Sequence, residues 1–175
     1  MFPKNSATKM LVQCAMLTAL EIILNRFCSI NAWNLKIGVS FIAPACAAML
    51  YGAPAAVCVW TVSDLLGALL FPSGPFFPGF TLSAFLSGLL YGCLLHRKQD
   101  LPHILAAVLI QQVFVSLLLN TGWISMLYGS PFRGVFMTRL MQTGILIPVQ
   151  TAGLFVLGGL LKRAGGVLRN SGAVR

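Results

Sequence analysis

Two carboxylates and two guanidiniums are the residues of this chain best suited to chemistry: Glu21, Asp64, Arg26 and Arg139. Asp64 is the single formal charge between Ile37 and Leu95. An arginine fork holds a carboxylate through two parallel N–H bonds. A carboxylate shielded from water can accept two such bonds from an amino-substituted heterocycle. Trp33, Phe76, Phe77, Trp123 and Tyr128 offer flat faces for stacking, and Asn120 adds an amide. These residue types suit an anionic, aromatic, hydrogen-bonding solute.

The elements that hold them are dictated by composition. Charged residues are 9% of the chain and hydrophobic ones 58%. A soluble domain spreads about a quarter of its residues as charges over its surface. The long uncharged runs therefore predict an all-α integral membrane protein. A span needs about 20 mainly apolar residues, so six transmembrane helices with short connections fill the chain as a single membrane domain, 1–175. The predicted spans are 8–27, 38–51, 54–71, 78–96, 103–124 and 134–162. Tyr51-Gly52-Ala53-Pro54 reads as a tight turn. The segment from Phe71 to Gly79 holds three prolines and two glycines, which predicts a loop or re-entrant stretch. The short second span is expected to be tilted or enclosed. The start is not expected to be a signal peptide, since Gln13 and Glu21 break its apolar run.

Orientation follows from the basic residues. Lys4, Lys9, Arg97, Lys98, Lys162, Arg163, Arg169 and Arg175, eight of twelve, fall on one face. That face is predicted to be cytoplasmic, with both termini on it. Arg26, Lys36, Arg133 and Arg139 fall at or near the outer face, and snorkelling would suit Lys36 and Arg133. At 1.5 Å rise per residue, Glu21 lies in the outer part of the first span and Asp64 near mid-depth of the third. Asn120 and Trp123 close the outer end of the fifth. The ionisable groups within spans thus gather in the outer half, the pattern of a cavity open to the outside. Internal ion pairing of Glu21 or Asp64, and an interfacial belt of aromatics, are the plainer alternatives. Gln13, Gln111, Gln112 and Gln150 lie deeper and read as interhelical hydrogen-bonding residues. In the first helix Ala15 and Ala19 share one stripe, and Cys14, Thr18, Glu21 and Asn25 another, on the far side. Gly88 and Gly92 form a second small-residue stripe for internal packing.

Other function classes find no support. Basic residues flank apolar spans, so the net charge of +9 points to membrane topology and not to nucleic acid. Five cysteines without a C-x-x-C pair read as small buried hydrophobes, not as disulfides or metal ligands. No metal site or cofactor is expected. His96 and His103 read as solvated residues near Asp100. The chain has no G-x-x-x-x-G-K-[ST], no H-E-x-x-H and no G-x-S-x-G. It reads as a binding subunit without an engine and not as an enzyme. A membrane-embedded enzyme or scaffold with an unrecognised site is the reading of a different class.

The sequence resembles the substrate-binding (S) components of energy-coupling factor (ECF) vitamin transporters, most of all the folate-specific group. The resemblance rests on Ala19 through Phe27, Asp64 through Gly74, Phe76 through Ala84, Leu119 through Gly129, Thr138-Arg139-Leu140 and Ile147 through Gln150. It implies a six-helix bundle in the cell membrane, with an outward-facing vitamin pocket capped by the loops after spans one, three and five. It implies partners as well: a transmembrane coupling (T) protein and two ATPase subunits. The family's A-x-x-x-A contact motif matches Ala15 and Ala19, which makes that stripe the expected docking surface. The family picture has the S component topple in the bilayer to release its vitamin inside. Lys36 stands where many relatives carry arginine, which keeps the charge but not the fork. The implied ligand is folate, with riboflavin or thiamine as alternatives.

Overall fold

A computed structural model describes residues 4–171 other than 28, 33–34, 72–74 and 97–99. Trp33, Cys28, Arg97, Lys98, Arg175 and part of the loop after the third span lie outside the described residues, as do the side chains of Lys4, Lys36 and Arg169. Six helices follow in order: α1 Lys4–Phe27, α2 Ile42–Tyr51, α3 Ala53–Leu70, α4 Pro78–Leu95, α5 Leu101–Tyr128 and α6 Phe132–Ser171. Five of them are long and apolar enough to cross a membrane; α2, with ten residues, is not.

The second span is the element that departs most from expectation. Its helix begins at Ile42 instead of residue 38. The preceding residues form a small antiparallel hairpin, β1 Ile30–Ala32 and β2 Leu35–Ile37, paired Ile30 to Ile37 and Ala32 to Leu35. β-Branched Ile30 and Ile37 suit a strand, and Gly38 and Ser40 suit the bend before the helix. At 1.5 Å per residue α2 is about 15 Å long, half a bilayer core. It is tolerated because Ala43, Ala45, Ala47 and Ala48 are buried against neighbouring helices. At its end Gly52 takes φ +84, a conformation side chains rarely adopt, with the His96 ring against it.

Helices α3 and α4 form the tightest pair. A Cβ on Gly88 would lie 2.6 Å from Val57 Cα, and one on Gly92 would lie 2.2 Å from Ala53 Cα. The glycine stripe is therefore where the two backbones meet, as its spacing predicts. Below it lies the apolar core of Phe41, Tyr91, Leu95, Ile104, Val108 and Leu154. Tyr91 packs on Trp60 at 5.2 Å and donates its hydroxyl to Gln150 Oε1 at 3.4 Å.

Helix α5 is continuous from Leu101 to Tyr128, longer than the expected 103–124. Its middle, Gln111–Leu119, is wound as a π-helix, with the Asn120 N–H on the Val115 carbonyl. Gly129 ends it at φ +60 and Pro131 precedes α6. Large apolar side chains such as Leu69, Phe114, Met126, Met141 and Val156 face outward, as a bilayer requires. Cys14, Cys46, Cys58 and Cys93 are free thiols. Cys58 and Cys93 are exposed on the helix surfaces, not buried as expected; in a membrane protein an outward apolar thiol meets hydrocarbon.

Candidate functional site

The candidate residues Glu21, Arg26, Asp64, Asn120, Trp123 and Arg139 lie in the halves of their helices that meet at one end of the bundle. The packing of Gly92 on Ala53 and the Lys162–Asp100 pair at 3.9 Å mark the opposite end. Phe27 against Phe71, at 6.0 Å, and Phe77 against Trp123, at 5.5 Å, mark the end of interest.

On the α1 side, Glu21 is 3% exposed, and its Oε1 accepts from Asn25 Nδ2 at 2.8 Å. Thr18, also buried, returns its hydroxyl to the Cys14 carbonyl. The i, i+4 spacing of α1 puts all four residues on the inward stripe. One turn further on, the half-buried Arg26 guanidinium rests on Gly67 of α3, where a Cβ would be 3.3 Å from Nη2. Asp64 lies one turn before Gly67 on α3. Its Oδ2 accepts from Thr81 Oγ1 of α4 at 3.0 Å.

On the α4–α5 side, Trp123 lies tilted against Phe77, which also meets Phe80 edge-on at 6.1 Å. Gly79 makes this possible, since a Cβ there would overlap Phe77 and the Trp123 ring. The Trp123 indole donates to Ser83 Oγ at 3.2 Å, and Gln111 Nε2 donates to Ser87 Oγ at 2.8 Å. Ser87 donates to the Ser83 carbonyl one turn away. Buried serines of α4 thus orient two residues of α5.

On the α5–α6 side, Arg139 Nη1 donates to the Ser116 carbonyl at 2.9 Å, while Nε is buried with no hydrogen-bond partner. Among the described residues Arg139 has no carboxylate at ion-pair distance. Asn120 Oδ1 and Thr121 Oγ1 are likewise buried with no partner among the described residues.

Asn120 and Trp123 do not close α5; the helix runs on to Tyr128, so both face the bundle from inside it. Tyr128 sits on that last turn instead of in a loop, and it is exposed, as is Phe76. Both stand at the rim and not in the cluster. Thr81, Ser83, Ser87 and Ser116 were not legible as site residues, because hydroxyls and carbonyls gain meaning only from what faces them. Gln13, Gln111 and Gln150 do bond between helices, Gln13 through the Tyr51 hydroxyl.

The family profile described as ECF transporter, substrate-specific component, matches residues 9–162. The chain belongs to this family. The S component is 39% identical over 140 residues to a folate transporter FolT of Clostridium novyi (strain NT), covering 79% of this chain and 81% of that one. It is 28% identical over 156 residues to a folate transporter FolT of Leuconostoc mesenteroides subsp. mesenteroides, covering 85% and 83%. A crystal structure of FolT bound with folic acid superposes with TM-score 0.83 at 32% identity, covering 88% of this chain and 96% of that one.

In the S component the two faces of α1 are distinct. Thr18 and Glu21 point inward, while Ala15 and Ala19 are exposed beside Leu11, Met16, Leu20 and Ile23. Small side chains flanked by large ones leave a shallow groove along the helix, and backbones can approach closely there.

Proposed function

We propose that this S component captures folate at the outer face of the cell membrane and delivers it inward with a coupling protein and two ATPase subunits. Arg139 is the observation that carries the reading. A guanidinium inside a bilayer is costly unless paired. Among the described residues this one has a neutral carbonyl as its partner and an Nε without one, so a carboxylate-bearing ligand would complete it. Folate carries such carboxylates on an aromatic body with an amino-substituted pterin. Arg26 and Arg139 take the carboxylate end, Asp64 accepts from the pterin and Thr81 holds Asp64 in place. Phe77 and Trp123 provide the stacking wall, Glu21 and Asn120 add hydrogen bonds, and Trp33, Phe76 and Tyr128 cover the rim. The relatives named as folate transporters support this choice of ligand.

In this reading the chain crosses the membrane six times with both termini cytoplasmic, the second crossing being made by the β1–β2 hairpin and the short α2 together, since α2 alone covers only about half a bilayer core. The ligand is moved and not transformed, and no metal or cofactor takes part. Titration calorimetry with folate on detergent-solubilised protein, with mass spectrometry of copurified small molecules, tests the reading. Binding of folate in a one-to-one complex is expected. Absence of heat with folate, together with a copurified riboflavin or thiamine, would overturn it in favour of another vitamin. Turnover of a ligand by the isolated chain would overturn transport itself.

A further inference from the structure

The π-helical winding of α5 changes which residues share a face. At about 3.6 residues per turn, the nine-residue step from Gln112 to Thr121 is two and a half turns, which puts them on opposite sides of an α-helix. A π-helix makes i→i+5 bonds and runs at roughly 4.4 residues per turn, so the same step is about two turns. The two side chains then lie on one face. Burial agrees: Gln112 is 3% exposed and Thr121 0%, while Val113, Phe114 and Leu118 between them are exposed.

Each of these two residues holds a buried oxygen with no hydrogen-bond partner among the described residues, Gln112 Oε1 and Thr121 Oγ1. Their immediate neighbours, Gln111 Oε1 and Asn120 Oδ1, are in the same state. The π stretch is thus bracketed by polar pairs that lack donors. Between them Ser116, four residues past Gln112 and five before Thr121, gives its carbonyl to Arg139. Buried polar atoms are nearly always paired, so a set of orphans along one face points to a missing donor.

We propose that Gln112 and Thr121, aligned by the π-helical stretch, are specificity-determining residues that accept hydrogen bonds from N–H groups of the ligand held by Arg139. The inference rests on the folate reading and deepens it. An α-wound segment would turn one of the two toward lipid, so the irregular winding is what presents both to one ligand. Selectivity follows from the orphan oxygens, because a ligand without matching donors leaves them unpaired.

The test uses the full chain in mild detergent, with calorimetric titration of folate and of its N10-methyl analogue, which lacks the N10–H donor beside the aminobenzoyl ring. Thr121→Val keeps the shape and removes the hydroxyl. If that hydroxyl is unpaired without ligand, the thermal midpoint of the ligand-free protein stays or rises. Folate affinity falls about tenfold, the preference for folate over the N10-methyl analogue narrows, and Thr121→Ser restores both. Gln112→Leu gives the same pattern. Unchanged affinity in one variant removes that residue, and in both it overturns the proposal. A ligand-free midpoint that falls together with affinity also overturns it, because the hydroxyl then serves internal packing or a bound water. Wild-type protein that does not bind folate would overturn the folate reading instead, which is a separate result from variants that bind as well as wild type.

Discussion

Asp64 shows how a single carboxylate is kept useful in an apolar helix. Thr81 Oγ1 donates to Oδ2 from the neighbouring helix, which satisfies part of the carboxylate's acceptor capacity. Asp64→Asn preserves the size and a carbonyl for Thr81 but turns one acceptor into a donor. Hydrogen bonds to charged groups contribute about 1.5–3 kcal/mol, so folate affinity should fall by roughly 10–100-fold. Calorimetry on the folded fraction reads this directly; wild-type affinity would remove Asp64 from the site. Asp64 and Arg139 stand out in the sequence as ionisable groups amid apolar residues, which is what makes them candidates. Trp123 and Phe77 were legible as aromatics but not as a contacting pair, since Gly79 creates the room for it. Gln112 and Thr121 were not legible as one face. Their alignment depends on a winding that no periodicity of α-helical spacing reveals.

At the scale of elements, two departures from regular helix do different work. The glycine seam of α3 and α4 is a packing device. A methyl group on Gly92 would lie 2.2 Å from the Ala53 backbone, which cannot yield as a side chain would. Overpacking of this kind costs about 1–3 kcal/mol. Gly92→Ala should lower the thermal midpoint by several degrees with or without ligand, and an unchanged midpoint would refute backbone contact there. The π stretch of α5 is a positioning device. Deleting Leu118, an exposed residue within it, should return the helix to α winding. Helix content by circular dichroism should be retained, and the eight residues then separating Gln112 from Thr121, about 2.2 turns, swing the two roughly 80° apart, so folate affinity should fall. Retained affinity would show that the register of α5 is irrelevant to binding. The seam was legible from its spacing, as were most helix positions from their apolar runs. That the second span is short and enclosed was legible as well; its start at Ile42 was not, because the apolar run extends back through Ile37, Val39 and Phe41 and hides the point where the chain leaves the hairpin.

At the scale of the whole molecule, the proposed ligand site and the proposed docking stripe lie on different faces. The proposed ligand site lies on inward faces near one end, whereas the Ala15–Ala19 groove of α1 faces outward along the helix. Inward Glu21 and outward Ala19 share the same two turns of helix, so a partner seated on the groove would sit one helix thickness from the ligand. The topology proposed for the chain puts the turn at Gly52 and the Asp100–Lys162 pair on the cytoplasmic side. A cysteine at Pro75 in the otherwise cysteine-free protein should then react with an impermeant thiol reagent from outside only. Labelling from inside only would invert the bundle.

The separation has a functional consequence that one double variant tests. The sequence carries no G-x-x-x-x-G-K-[ST], and in the proposed function the energy for inward transfer comes through the ATPase subunits. Replacing Ala15 and Ala19 by leucine fills the groove without touching Thr18, Glu21 or Arg26 on the other face. Exposed apolar side chains of that size are already present at Leu11, Met16 and Leu20, so the fold should tolerate the change. Folate affinity of the isolated chain should remain within about twofold of wild type, a change of roughly 0.4 kcal/mol. Uptake by cells that also express the coupling protein and ATPases should be abolished, and the complex should no longer copurify. If uptake persists, the partner docks elsewhere on the bundle. If affinity and uptake are lost together, the alanine face belongs to the internal packing of the S component.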